Sequence, residues 1–139
     1  MYALKSLIIE DTAVIYRIVN HILSEFGESH IAVNGLEGIK KVKMAIDAGQ
    51  NYDLICLDIM LPEINGLDVL SNIRNLEKNS SGTKKSKIII LTSLSEPKYI
   101  KASLARGCDS YILKPVDKYK LLAEMKKLKV IEEAQAQPG

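Results

Sequence analysis

The sequence predicts an α/β fold built around a doubly wound, five-stranded parallel sheet. Short apolar runs alternate along the chain with segments of helical periodicity, a pattern typical of a parallel sheet covered by helices on both faces. The run at residues 53–58 is apolar through its centre, as expected for a strand buried on both faces. With 139 residues the chain is long enough for one domain, and the sequence contains no internal repeat.

The first two βα units precede residue 50. A strand at residues 6–10 leads into a helix that ends at Gly27, and a weak strand at residues 30–33 leads into a helix that stops at Gly49. The spacing of apolar residues gives each helix one apolar stripe. The first stripe consists of Val14, Ile15, Ile18, Val19, Ile22, Leu23 and Phe26, and the second of Leu36, Ile39, Val42 and Ile46.

The third unit begins with the strand at residues 53–58. Pro62 and the pair Asn65-Gly66 mark an irregular loop after this strand. Residues 78–86 are polar, and we expect them to form a mobile surface loop. The helix between the two loops has four apolar residues on its inner side, Leu67, Leu70, Ile73 and Leu76.

The last two units follow this loop. A strand at residues 88–92 precedes a helix with Ser95 as its N-cap and Pro97 in its first turn. Residues 110–113 form the fifth strand, and Asp117 caps the last helix. The inner side of that helix consists of Leu121, Leu122, Met125 and Leu128.

Composition and charge exclude several classes of protein. Hydrophobic residues make up 47% of the chain and charged residues 26%, as in ordinary globular proteins. A net charge of +2 is too small to indicate direct binding of nucleic acid or of a membrane surface. No apolar run approaches the roughly 20 residues that span a bilayer. We expect no signal peptide, because the N-terminus runs directly into a strand.

The two cysteines, Cys56 and Cys108, have neither metal-binding nor redox spacing. Cys56 lies in an apolar strand and is interpreted as a small buried hydrophobic residue. These features favour a reducing, cytoplasmic location. We expect residues 1–131 to form the folded domain and residues 132–139 to form a flexible C-terminal tail.

Polar groups fall at the carboxyl ends of four of the predicted strands. Parallel strands end at one edge of the sheet, and ligands of doubly wound folds bind at that edge. We therefore expect three carboxylates, a hydroxyl and an ammonium within reach of one another. In chain order these groups are Glu10-Asp11, Asp58, Thr92 and Lys114-Pro115.

The clustering of the carboxylates points to a cation. A single Asp beside a strand usually forms a turn or caps a helix, and Asp53 and Asp68 are interpreted in this way. Three carboxylates at one edge resist full ionisation unless positive charge compensates them. Oxygen ligands with room for water suit Mg²⁺ or Mn²⁺, whereas zinc would need His or Cys ligands. His21 and His30 are interpreted as ordinary helix and strand residues.

The sequence resembles the receiver domain of two-component response regulators, and in size it is close to the single-domain chemotaxis type. The resemblance covers about residues 4–130 and implies a flavodoxin-like (βα)5 fold with the strand order 2-1-3-4-5. It rests on four pieces, Glu10-Asp11, Asp58-Ile-Met-Leu-Pro-Glu-Ile-Asn-Gly66, Thr92-Ser93 and Tyr111-Ile-Leu-Lys-Pro115.

The resemblance implies a Mg²⁺-dependent phosphoacceptor site. It makes Asp58 the phosphoacceptor and Asp11 a direct metal ligand. Glu10 then acts on the metal through water, and the backbone carbonyl of Met60 is a further ligand. A carboxylate can attack phosphorus, so an aspartyl phosphate is chemically reasonable. The only catalysis implied is that of the domain's own phosphorylation and dephosphorylation.

The resemblance also assigns roles at the fourth and fifth strands. Thr92 hydrogen-bonds the phosphoryl oxygens and Lys114 pairs with the phosphate, where donors and cations stabilise the developing charge. Thr92 and Tyr111 form the switch, the pair that reports phosphorylation to the surface. Tyr111 and Lys114 are an odd number of residues apart in the strand, so Lys114 can face the site while Tyr111 points to the opposite face. A cis peptide precedes Pro115, which the family shares.

The expected partners are proteins. A sensor histidine kinase or a histidine phosphotransfer protein supplies the phosphoryl group. A downstream target or a second copy of the chain binds the face at residues 96–130. Met60 and Leu94 are apolar where the chemotaxis type is more polar, and neither can orient an attacking water. We therefore expect a long phosphoryl lifetime.

Two other classes of protein fit the sequence poorly. Phosphatases of the haloacid dehalogenase type resemble one another in placing the nucleophile on the first strand, with a second Asp two residues later. Here the acceptor is on the third strand and Met60 occupies that second position. A flavodoxin-like flavin binder would need a Ser/Thr/Gly phosphate loop after the first strand, and the run from Asp11 to Tyr16 has no glycine. A degenerate receiver is also disfavoured, because every reactive group is present.

Overall fold

The computed structural model describes residues 3–132, and five βα units follow one another along this part of the chain. The strands are β1 (Ser6–Ile9), β2 (Ser29–Ala32), β3 (Leu54–Asp58), β4 (Lys87–Thr92) and β5 (Ser110–Leu113). The helices are α1 (Ala13–Leu23), α2 (Gly35–Asp47), α3 (Gly66–Lys78), α4 (Pro97–Ala105) and α5 (Lys118–Lys127). Residues 133–139 of the predicted tail lie outside the described residues.

The strands form one sheet in the order β2-β1-β3-β4-β5, and all four pairings are parallel. The predicted fold and strand order are therefore confirmed. The register sets Ile9 of β1 opposite Leu57 of β3, and Asp58 of β3 opposite Leu91 of β4. Residues that follow these strands consequently leave the sheet at the same edge.

The sheet separates two hydrophobic clusters, because alternate residues of a strand point to opposite faces. Leu7 and Ile55 belong to the cluster under α2 and α3, whereas Ile8 and Cys56 belong to the cluster under α1 and α5. All four side chains are fully buried, and burial of a large aliphatic side chain stabilises the fold by about 1.5–3 kcal/mol. Burial also raises the pKa of the Cys56 thiol to about 12, which confirms it as a buried hydrophobic residue.

The apolar stripes of the first two helices are narrower than predicted. Val14 is 66% exposed, Ile18 is 41% exposed and Leu36 in the first turn of α2 is 56% exposed. Successive helix residues are rotated by about 100°, so Val14 and Ile18 point to a different side of α1 from the buried Val19 and Leu23. A helix on a sheet buries only one side, so the predicted stripe included flanking positions.

Two helix boundaries also differ from the prediction. The helix α1 ends at Leu23 rather than at Gly27, and a hydrogen-bonded turn joins the two. Gly27 is required for a different reason: its φ is +152°, and a Cβ there would lie 2.1 Å from the carbonyl oxygen of Leu4. The helix α4 begins at Pro97 with Glu96 as the N-cap, so the prediction of Ser95 as N-cap is wrong. Proline at the first helical position fixes φ and makes the preceding residue the cap.

The N-cap side chains of α2, α3 and α5 accept hydrogen bonds from backbone N–H groups in the first turns of these helices, whereas Thr12 before α1 makes no such bond. The side chain of Asp117 accepts a hydrogen bond from the Lys120 amide at 2.8 Å, which confirms the predicted cap of α5. Asn34 and Asn65 cap α2 and α3 in the same way. Each such cap stabilises its helix by about 1 kcal/mol.

Several polar residues outside the predicted phosphoacceptor site stabilise the edge of the sheet where the strands begin. Asp53 accepts a hydrogen bond from the Lys5 amide at 2.8 Å and forms an ion pair with Lys84. His30 lies 2.7 Å from the Tyr52 hydroxyl oxygen through Nδ1 and contacts Glu28 through Nε2. Asp53 and His30 are therefore structural, as the sequence indicated. No helix within residues 3–132 is both long and apolar enough to cross a membrane.

Candidate functional site

The carboxyl ends of four strands bring the predicted site residues together. Glu10 follows β1 directly and is fully buried, and Asp58, the last residue of β3, is 4% exposed. Thr92 ends β4 and is also fully buried. Lys114 follows β5, and Asp11 is exposed at the mouth of the site. The parallel pairing of β1, β3, β4 and β5 accounts for this convergence.

Three carboxylates lie close enough to share one cation. One oxygen from each of Glu10, Asp11 and Asp58 lies within 4.8 Å of the others. Two of these residues are buried, whereas Asp11 faces solvent and leaves an open side. Oxygen ligands from carboxylates, with space for water on one side, are the arrangement that Mg²⁺ prefers in proteins.

Lys114 compensates the two buried carboxylates. Its Nζ lies 3.0 Å from Glu10 Oε1 and 3.5 Å from Asp58 Oδ2, and its side chain is 17% exposed. One ammonium thus faces two carboxylates, so negative charge remains in excess at the site. Like charges at such short range disfavour full ionisation of both acids.

The excess of negative charge affects the pKa of Glu10. The pKa of Glu10 is raised to about 7 by burial and by the hydrogen bond and charge of Asp58, while Lys114 opposes the shift. Glu10 Oε2 is buried, and no donor among residues 3–132 contacts it. A buried oxygen without a donor is costly, and a cation or its bound water would satisfy it. The residues therefore fit a hydrated divalent cation.

The loop after β3 positions Asp58 through its backbone. The Met60 amide donates a hydrogen bond to Asp58 Oδ1 at 3.1 Å, and the Gly66 amide donates one to the Ile59 carbonyl at 2.7 Å. A Cβ at Gly66 would lie 2.1 Å from the Asp58 carbonyl oxygen. Glycine at this position therefore allows the start of α3 to approach the end of β3. The Met60 side chain is 59% exposed.

Thr92 and Tyr111 contact the same residue, Leu94, from two directions. The Leu94 amide donates a hydrogen bond to Thr92 Oγ1 at 3.2 Å, and the Tyr111 hydroxyl donates one to the Leu94 carbonyl at 2.5 Å. Burial raises the pKa of Tyr111 above its ordinary value. Sequence reasoning did not identify Leu94 as the link, because a backbone contact of this kind leaves no signal in side-chain type.

The peptide bond between Lys114 and Pro115 is cis, as the sequence resemblance implied. The Pro115 carbonyl accepts a hydrogen bond from Lys120 Nζ at 2.9 Å, and the Lys114 amide donates one to the Thr92 carbonyl at 2.8 Å. These contacts attach the segment after β5 to both α5 and the end of β4. Lys114 is thereby fixed beside the carboxylates.

Comparison with known proteins identifies a family. The family model of the response regulator receiver domain matches residues 6–126. The chemotaxis protein CheY of Treponema pallidum is 30% identical over 118 residues, which cover 84% of this chain and 76% of that protein. The hybrid signal transduction histidine kinase G of Dictyostelium discoideum is 40% identical over 117 residues, which cover 81% of this chain but 3% of the kinase. The response regulator ArlR of Staphylococcus saprophyticus is 36% identical, and the match spans 50% of its length.

Solved structures give the same result for the fold. A CheY-like receiver domain protein of Methanospirillum hungatei has a TM-score of 0.78 and 27% identity, covering 99% of this chain and 100% of that one. The CheX–CheY complex of Borrelia burgdorferi with BeF₃ and Mg²⁺ also has a TM-score of 0.78, at 26% identity, covering 92% of this chain and 90% of that one. The chain therefore belongs to the response regulator receiver domain family, the phosphorelay receivers of two-component signalling.

Proposed function

We propose that Asp58 accepts a phosphoryl group from a histidine kinase or a histidine phosphotransfer protein, with Mg²⁺ as the cofactor, and that the modified domain changes its affinity for a partner protein. The observation that supports this most strongly is the grouping of Asp58 with Glu10, Asp11 and Lys114 at one edge of the sheet. The Borrelia relative was crystallised with BeF₃ and Mg²⁺, which fits the same chemistry.

The transfer needs a nucleophile and stabilisation of charge. An oxygen of Asp58 attacks phosphorus, a P–O bond forms, and the P–N bond to the donor histidine breaks with its electron pair leaving on nitrogen. Lys114 Nζ, now 3.5 Å from Asp58, then pairs with a phosphoryl oxygen. The Thr92 hydroxyl donates to another oxygen. Asp11 and Asp58 would hold a divalent cation directly, Glu10 would hold it through water and the Met60 carbonyl would be a further ligand. When bound, the cation would supply positive charge that offsets the charge developing on the phosphoryl oxygens.

The contacts of Leu94 suggest how phosphorylation alters the surface. If Thr92 turns towards a phosphoryl oxygen, the Leu94 amide loses the acceptor that it has at 3.2 Å. Leu94 then shifts, and Tyr111 moves with it because their 2.5 Å hydrogen bond joins them. We propose that this change reaches the face at residues 96–130, where a target protein or a second copy binds.

The first prediction concerns metal binding. Mg²⁺ at about ten times its dissociation constant should raise the free energy of unfolding by about 1.4 kcal/mol, because it binds only the folded chain. Thermal melts in Mg²⁺ and in EDTA measure this difference. Asp11→Ala should abolish it, whereas Asp47→Ala, which removes an exposed carboxylate outside the site, should preserve it. No Mg²⁺ effect in the wild type, or one that survives in Asp11→Ala, contradicts the site.

The second prediction concerns pH. Because the pKa of Glu10 is raised from 4.5 to about 7, the folded chain binds its proton more tightly than the unfolded chain. In EDTA, the contribution of Glu10 to stability should therefore fall as pH rises through this window. The measurement is the difference in unfolding free energy between wild type and Glu10→Gln at about pH 5 and about pH 8. The unfolding free energy of Glu10→Gln, relative to that of the wild type, should be higher at about pH 8 than at about pH 5. The same relative free energy at both pH values would refute the pKa shift.

The third prediction concerns the phosphoacceptor. Acetyl phosphate or a cognate kinase should label only Asp58, giving an adduct that is stable in acid and labile to base and hydroxylamine. Asp58→Asn should remove the label and retain the far-UV circular dichroism of the wild type. Lys114→Ala should retain Mg²⁺ binding but lose phosphorylation or its structural consequence. Labelling of Asp58→Asn, detected by mass spectrometry, would identify a different acceptor.

The fourth prediction concerns the switch. In wild-type protein, beryllofluoride with Mg²⁺ should shift the NMR resonances of residues 96–130 and change self-association or target affinity about 5- to 150-fold. Thr92→Val and Tyr111→Phe should each reduce these effects, because each removes one hydroxyl. Tyr16→Phe is the matched control, since Tyr16 lies on α1, outside the face at residues 96–130. Shifts confined to α1, or equal losses in Tyr16→Phe, would show that this route is wrong.

A further inference from the structure

We propose that the domain has a second interaction surface, a basic cleft at the end of the sheet opposite Asp58, which binds an acidic segment of a partner protein. The cleft has a volume of about 440 Å³ and lies between the carboxyl-terminal ends of α3 and α4 and the loop at residues 79–86. Its charged lining residues are Arg74, Glu77, Lys78, Lys85 and Arg106.

The loop at residues 79–86 is the longest connection from a helix to a strand in the described chain. The corresponding connections cover residues 24–28, 48–53 and 106–109. Helix-to-strand loops in α/β folds usually have 2–6 residues. This loop contains Lys84 and Lys85, lies between Lys78 and Lys87, and has no acidic residue. It therefore concentrates positive charge at one place.

The sequence predicted a mobile loop here, but the carboxyl-terminal half of this loop is hydrogen-bonded to the domain. Asn51 Nδ2 donates to the Lys84 carbonyl at 2.8 Å, and Lys84 Nζ pairs with Asp53. Ser86 is buried: its amide donates to Glu77 Oε2 at 2.7 Å, and its hydroxyl donates to the Tyr52 carbonyl at 2.6 Å. Lys85 lies between these two anchored residues. Its backbone position is therefore fixed before any ligand binds, which lowers the entropic cost of binding.

The carboxylate and the guanidinium at the base of the cleft have their partners already. Glu77 Oε1 accepts from Arg74 at 2.7 Å, and Glu77 Oε2 accepts from Asn51 at 3.2 Å and from Ser86. Arg74 also donates to the carbonyls of Ser86 and Gly107 and to Asp109. These groups form a partly buried network in which both oxygens of Glu77 and all three nitrogens of the Arg74 guanidinium already have partners.

The exposed cations of the cleft, unlike Arg74, have few or no partners within the domain. Lys78 and Lys85 are exposed, and no carboxylate among residues 3–132 pairs with either. Arg106 forms one hydrogen bond to Asp68 at 2.8 Å through Nη1, and the other N–H groups of its guanidinium have no acceptor among those residues. Lys78 and Arg106 lie at helix carboxyl termini, where the helix dipole favours cations. Lys85 is not part of a helix, so a helix dipole does not explain why it lies near Lys78 and Arg106.

The lining favours a protein segment over nucleic acid. None of the residues that line this cleft is aromatic, so it has no surface on which a base could stack. Its cations surround one cleft and do not form a stripe that could follow a phosphate backbone. Ala105 and the lysine stems supply apolar surface that suits the methylene groups of Glu or small neighbouring side chains. The phosphoacceptor edge, in contrast, carries three carboxylates and repels an acidic segment.

The test uses the full chain and a fluorescein-labelled peptide of alternating Glu and Leu, with fluorescence anisotropy as the readout. Lys78→Gln/Lys85→Gln should weaken binding about tenfold or more, which corresponds to about 1.4 kcal/mol. Arg17→Gln/Lys40→Gln is the matched control, because it removes two exposed cations on α1 and α2. That control should change the affinity less than about twofold, and the same peptide with Gln in place of Glu should not bind.

Three results would overturn the proposal. Equal loss in the two double variants would mean that the peptide responds only to net charge. No loss in Lys78→Gln/Lys85→Gln would place the peptide elsewhere. A single-stranded oligonucleotide that binds more tightly than the peptide, with the same dependence on Lys78 and Lys85, would make nucleic acid the ligand. Asp58→Asn should bind the peptide as wild type does, so this test is independent of the phosphoacceptor assignment.

Discussion

The repulsion between buried carboxylates at the ends of β1 and β3 determines the chemistry of this domain. Glu10 is fully buried beside Asp58, and a single ammonium, from Lys114, lies between them at 3.0 and 3.5 Å. The sheet requires this proximity, because β1 and β3 are paired, Glu10 directly follows β1 and Asp58 ends β3. The excess negative charge and the unpaired Oε2 of Glu10 favour the binding of a cation. A site that attracts a cation can also stabilise a phosphoryl group on Asp58.

The same edge of the sheet connects the site to the surface through backbone contacts. Thr92 accepts a hydrogen bond from the Leu94 amide, and the Leu94 carbonyl accepts one from Tyr111. A movement of the Thr92 hydroxyl at the site is thereby linked to the Tyr111 side chain on β5. At the opposite end of the molecule, Arg74 and Glu77 connect α3 to the loop before β4 through a partly buried polar network.

Much of the fold and the site could be predicted because both follow from local patterns and one topological rule. The apolar runs located the strands, and parallel strands with polar carboxyl ends implied that Glu10, Asp58, Thr92 and Lys114 converge. Features that depend on tertiary contacts could not be predicted. The exposure of Val14 depends on how much of α1 the sheet covers. The role of Leu94 depends on its backbone and not on its side chain, and the saturation of Glu77 depends on residues from three segments.

The central claim is that Lys114 and the three carboxylates form one phosphoryl-transfer site. A crystal structure of the protein with Mg²⁺ and beryllofluoride tests this claim most directly. We expect beryllium bonded to an oxygen of Asp58, Mg²⁺ contacting Asp11 and Asp58, and Lys114 Nζ moved from Glu10 towards a fluorine atom. Beryllium bonded to another residue, or Lys114 still paired with Glu10 at 3.0 Å and not with a fluorine, would contradict the account.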